Sequence, residues 1–186
     1  MFIQTEATPN PATLKFLPGR SVMGNQTRDY RDRETAESSP LAARLFSINN
    51  VSGVFFGSDF ITVTKDDGDW QLLKPAILGT IMEYFMSGAP LLSDDGQDEK
   101  ATGESFDEAD KEIVSTIKEL LDTRVRPAVA QDGGDITFQA YEDGIVFLHM
   151  QGACAGCPSS TATLKHGIEN LLKHFIPEVR EVRPVA

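Results

Sequence analysis

Between Ser93 and Asp107 the chain runs Ser-Asp-Asp-Gly-Gln-Asp-Glu-Lys-Ala-Thr-Gly-Glu-Ser-Phe-Asp, a dense set of carboxylates with almost no apolar side chains. Such a segment cannot bury enough surface to offset the entropy of ordering it. In a chain of 186 residues it therefore reads as an acidic flexible linker over 93–107, leaving two small domains at 1–92 and 108–186.

Each half alternates short extended runs with amphipathic stretches, which predicts the α+β class. In the first half, Phe2 to Glu6 and Thr13 to Leu17 are extended patterns separated by the turn-forming Thr-Pro-Asn-Pro. The polar stretch from Gly19 to Ser38 offers few core candidates. Ser39-Pro40 has the pattern of an N-cap with proline at the first helical position, ahead of Leu41, Leu45 and Phe46. Val51 to Phe56 and Phe60 to Lys65 form a hairpin pattern around Gly57-Ser58-Asp59. Leu73, Ile77, Ile81 and Phe85 then mark one helical face. This half has no cysteine or histidine, and its expected role is protein docking.

The second half begins with Ile113, Ile117, Leu120, Leu121 and Val125 on a helical face expected to end before Pro127. Ile136 to Tyr141 and Ile145 to Met150 read as strands joined by an Asp-Gly turn. Leu164, Ile168, Leu171, Leu172 and Phe175 form the stripe of a second helix, and Val179 to Val185 alternate as an edge strand. The expected domain is a short, mostly antiparallel sheet with helices packed on one face.

Acidic residues outnumber basic ones by 28 to 17, for a formal charge of −11. That balance argues against binding nucleic acid or an anionic membrane, both of which need clustered Lys and Arg. No apolar run approaches the roughly 18 to 20 residues of a membrane span, and the start lacks a signal-peptide pattern. The expected compartment is a bacterial cytoplasm, or the mitochondrial matrix if this is a mature eukaryotic chain. In either, paired cysteines read as reactive or metal-binding before they read as a staple.

The only two cysteines lie together in Gly-Ala-Cys-Ala-Gly-Cys-Pro-Ser-Ser, at Cys154 and Cys157. The expected order of strand, cysteines, Pro158 and helix sets both sulfurs beside a helix N-terminus, whose N–H groups and dipole favour thiolate. Gly152 and Gly156 let the backbone turn sharply and approach a bulky inorganic group. Three chemistries share this spacing. A dithiol–disulfide oxidoreductase needs the pair after the first strand of a βαβ unit, whereas here a hairpin precedes it and implies an antiparallel arrangement. Zinc and the common iron–sulfur clusters want about four ligands. His149, His166 and His174 lack zinc-finger spacing and read as surface or helix-face residues, so two copies of the chain, each giving Cys154 and Cys157, are the simplest route to four thiolates. A zinc-bridged structural dimer meets the same count.

These residues resemble the Nfu proteins, iron–sulfur carriers whose C-terminal part is similar to the C-terminal domain of NifU. The resemblance lies in Arg-Pro-Ala-Val-Ala-Gln-Asp-Gly-Gly-Asp-Ile (126–136), in Leu148 to Glu169 around the cysteines, in Thr8 to Phe16, and in Trp70 to Phe85. It implies a non-enzymatic carrier holding a [4Fe-4S] cluster between two subunits through Cys154 and Cys157 of each. Its implied partners are an upstream assembly scaffold and apo-protein clients. Transfer by stepwise thiolate exchange calls for exposed sulfur atoms without a buried surround. Asp132-Gly133-Gly134-Asp135 reads as a turn, with glycines at positive φ and aspartates capping nearby N–H groups, rather than as a metal site.

Overall fold

The computed structural model describes residues 2–24, 26–92, 105–154 and 158–185, with 158–161 described by their backbone. The chain separates into two compact units, Met1–Glu99 and Lys100–Ala186. Together they make an α+β protein with one sheet in each unit.

The first unit holds β1 (Gln4–Ala7), β2 (Thr13–Leu17), β3 (Arg28–Tyr30), α1 (Arg33–Ala36), α2 (Pro40–Phe46), β4 (Val51–Phe56), β5 (Ile61–Lys65) and α3 (Trp70–Ser87). Its strands form an antiparallel sheet in the order β1-β2-β5-β4-β3. The Ser39 hydroxyl accepts from the Ala42 N–H, so the Ser-Pro signal does start α2. Asp69 caps α3, and Gly88 ends it in the left-handed conformation.

Leu73, Ile77 and Ile81 face the core as expected, but Tyr84 rather than Phe85 takes the next inward position. Steps of four overshoot a 3.6-residue turn, and a step of three brings the stripe back. The polar stretch before Ser38 supplies more than its composition suggests. Tyr30 on β3 packs edge-on against Phe56 at 5.4 Å, and Ala36 of α1 is fully buried.

The second unit opens earlier than residue 108. Ser105 pairs with the strand Gly134–Glu142 through Ser105 N–H to Gln139 O and Tyr141 N–H to Ser105 O, at 3.2 and 3.0 Å. The Phe106 ring meets Phe138 at 6.2 Å. Of the expected flexible linker, residues 93–104 lie outside the described residues.

A 3₁₀ turn (Glu108–Asp110) leads into α4 (Lys111–Leu120), a π-helical segment (Leu121–Val125), α5 (Arg126–Gln131), β6 (Gly134–Glu142), β7 (Ile145–Gly152), α6 (Pro158–Phe175) and β8 (Glu181–Val185). Helix therefore continues through Pro127 instead of ending before it. Proline has no N–H and its ring crowds the carbonyl four residues back. The π segment widens the turn there, with the Arg126 N–H reaching Leu121 O, and α5 restarts with Pro127 in its first turn.

Asp143 and Gly144, at φ 51° and 81°, make the tight turn between β6 and β7 that the Asp-Gly pair predicts. The sheet order is β6-β7-β8, antiparallel in the first pair and parallel in the second, with α6 as the crossover. The expected antiparallel arrangement thus holds only before the cysteines. Ile117 of α4, Ile136 and Leu148 of the sheet, and Leu172 of α6 meet in one apolar core.

Candidate functional site

Cys154 follows the end of β7 by two residues and precedes α6 by four, so the sheet and the helix together fix its place. The last rungs of the β6–β7 ladder pair Asp135 with Gln151 and Gly134 with Gly152. Beyond them the Ala153 N–H donates to Gly133 O at 3.1 Å. Gly152 turns the chain out of the strand at φ 64°. The Cys154 side chain then lies against Gly134 so closely that a Cβ there would stand 2.6 Å from Sγ.

As a result Cys154 is 6% exposed and belongs to the apolar core of its unit. This corrects the expectation of an exposed sulfur without a buried surround. Gly134 explains it, because its missing side chain leaves a hollow that the thiol fills. Cys157 lies outside the described residues, as do Ala155 and Gly156. Pro158 is the first residue of α6, which is where a residue without an N–H is tolerated.

The Asp132-Gly133-Gly134-Asp135 motif divides in two. Asp132 and Gly133 close α5, donating to Val129 O and Ala130 O, with Gly133 at φ 80°. Gly134 and Asp135 already belong to β6. Asp135 is 4% exposed, and its carboxylate accepts from Arg126 Nε at 2.8 Å and Nη2 at 3.0 Å, and from the Ile136 N–H at 2.9 Å. The hydrogen bonds and charge of Asp135, with a further bond to Asp122, hold the Arg126 guanidinium above its ordinary pKa. Sequence reasoning missed this pair, although both members lie within the motif stretch 126–136.

The three histidines do not gather at the cysteine. His149 is half-buried on β7, and His166 and His174 are exposed on α6. Among the described residues no group of three or more His, Cys, Asp or Glu side chains could hold a metal ion. Nor, among those residues, is any helix long and apolar enough to cross a membrane.

Residues 3–88 match the family described as scaffold protein Nfu/NifU N terminal, and residues 117–183 match the NifU-like domain. The human protein named NFU1 iron-sulfur cluster scaffold homolog, mitochondrial, is 54% identical across the whole of this chain and 72% of its own length. This chain belongs to the Nfu family of iron–sulfur cluster scaffolds. Other Nfu relatives include the Drosophila sechellia protein of the same name, 53% identical over all of this chain and 65% of its own length. NifU-like protein 4, mitochondrial, of Arabidopsis thaliana is 52% identical over 98% of the chain and 65% of its own length. A solution structure of a NifU-like protein from Saccharomyces cerevisiae aligns at 28% identity and a TM-score of 0.45, over 50% of this chain and 85% of the other.

Nfu membership makes an iron–sulfur cluster the expected cargo and scaffolding the expected role. The chain spans 65–72% of the length of these Nfu relatives. Their names say mitochondrial and lend no support to a bacterial cytoplasm.

Proposed function

We propose that this chain is a carrier that holds a [4Fe-4S] cluster between two copies, through Cys154 and Cys157 of each, and passes it to apo-proteins in the mitochondrial matrix. The observation that carries this reading is the count of thiolates. A scaffold-family chain with only two cysteines supplies half of the four ligands that such clusters take.

Burial of Cys154 in the single chain adds a requirement. Loading must draw the sulfur out of the hollow against Gly134, and a client thiolate can displace it only while it is out. Such a cargo is held tightly enough to be shielded and loosely enough to be surrendered. The parallel β7–α6–β8 unit behind the cysteines is the one feature that favours a dithiol–disulfide reading instead.

Anaerobic reconstitution with iron and sulfide, run beside a measurement of mass in solution, separates these readings. The carrier gives about four irons and four sulfides per dimer, and loss of both in Cys154→Ala and in Cys157→Ala without loss of fold. A colourless zinc dimer without acid-labile sulfide, or a metal-free monomer that reduces disulfides, would overturn the carrier. So would a cysteine variant that loads normally.

A further inference from the structure

The backbone beneath Cys154 has an ionic anchor. Gly133 receives the Ala153 N–H, Gly134 is the surface against which Sγ lies, and Asp135 follows directly. Asp135 is clamped by the two-pronged bond to Arg126, at 2.8 and 3.0 Å. Arg126 opens α5 immediately after the π segment, and its third nitrogen donates to Asp122 Oδ1 at 3.1 Å. One side chain therefore ties the widened helical turn to the first residues of β6.

Stability alone is a weak reason for such a pair. β6 is already laddered to β7 along its length, and an apolar core lies beside it. A charge pair with one member this buried loses hydration that an apolar pair of similar volume would not lose. What the guanidinium fork adds is geometry, because two parallel bonds fix both distance and orientation.

We propose that the Arg126–Asp135 pair is a positioning device for Cys154: it fixes the start of β6, on which the thiol is seated, and so sets where Sγ stands. Its functional meaning rests on the reading of Cys154 as a cluster ligand. The pair touches no cargo. It acts through Gly133 and Gly134.

The test uses the full-length apo-protein carrying Cys157→Ser, so that Cys154 is the only thiol. Its alkylation by iodoacetamide is followed by mass spectrometry, with circular dichroism as the check of fold. Adding Arg126→Gln should speed alkylation by about tenfold or more, since a buried carboxylate deprived of its counter-charge loosens the strand that seats the thiol. Arg126→Lys keeps the charge without the fork and should fall between. Asp122→Ala removes only the outer contact and should leave the rate within about twofold.

A folded Arg126→Gln protein that alkylates at the parent rate overturns the proposal, and so does an acceleration no larger than its loss of unfolding free energy in denaturant accounts for, because that is what a merely stabilising pair would give. If Arg126→Gln does not fold, the parent rate in Arg126→Lys overturns it equally. Acceleration by Asp122→Ala as large as that by Arg126→Gln would also sink it. Reconstitution of the unmodified chain is scored separately. Failure to load a cluster there removes the carrier reading and leaves the alkylation result standing, whereas normal loading with no alkylation change removes only the positioning role.

Discussion

Gly134 is the residue at which fold and chemistry meet. A methyl group there would stand 2.6 Å from the Cys154 sulfur and 2.8 Å from the Gln151 carbonyl oxygen. The second neighbour is backbone of the paired strand and cannot move aside cheaply. Gly134→Ala should therefore lower stability by about 1–3 kcal/mol, as overpacking does, and reduce cluster loading because the displaced atom is a proposed ligand. Denaturant unfolding and reconstitution read the two effects, and normal values in both would mean that the seat is looser than its geometry. Gly57→Ala is the control for site: its Cβ would stand 2.4 Å from the Phe60 ring in the other unit, so stability should fall with loading preserved. Of this residue-scale picture, the sequence discloses the cysteines and the glycine-rich approach to them. It does not disclose that Gly134 and Asp135 are strand rather than turn, nor that Cys154 is buried. Those facts depend on Arg126, nine positions away across a helix end, and on rungs of a ladder whose register no spacing announces.

At the scale of elements, the second unit depends on β8 returning beside β7, and Glu169 is one of the side chains that join α6 to it. Its carboxylate accepts from the Val182 N–H at 3.2 Å and pairs with Lys173 at 2.7 Å. The Lys173 bond first, and the Val182 bond second, hold its pKa below the ordinary 4.5. A carboxyl depressed on folding contributes stability that is complete above its unfolded value and is lost as pH falls through the folded one. Glu169→Ala should thus cost about 0.5–1 kcal/mol at neutral pH, and the gap from the unsubstituted protein should close in acid below the carboxylate range. A gap that stays constant with pH in thermal melts would assign the loss to packing alone. Signals confined to a few adjacent residues, such as Ser39-Pro40 and Asp143-Gly144, are legible because the local chemistry is sufficient there. β3 and α1 are not, since three- and four-residue elements are held by Tyr30 and Ala36 fitting a core built elsewhere. Pro127 misleads for a related reason: the rule that proline ends a helix assumes regular turns before it, and the π segment removes the clash. The parallel pairing of β8 escapes reading because alternation gives a strand its two faces but not its direction.

For the whole molecule, the two family matches fall one on each unit, and each apolar core is built from residues of its own unit. All the cysteines and histidines lie in the second. A chain lacking residues 1–92 therefore keeps every group that the proposed chemistry uses, together with a complete core around Ile117, Ile136, Leu148 and Leu172. It should fold, show an α+β circular dichroism signature, and load a cluster with the same iron and sulfide content per dimer as the full chain. What it should lose is delivery. The first unit has a five-stranded sheet and a long helix but no thiol or imidazole, and the role expected of it from the sequence is protein docking. Its α3 leaves Leu72 and Met86 largely exposed, a cost in apolar hydration that a protein-docking surface would offset. Transfer from the truncated carrier to a panel of apo-proteins, timed by recovery of client activity, should be slower for at least one client. Equal rates for all of them would reduce the first unit to a stabilising appendage, whereas failure of the truncated chain to load at all would show that the carrier's site extends beyond the unit that holds its cysteines.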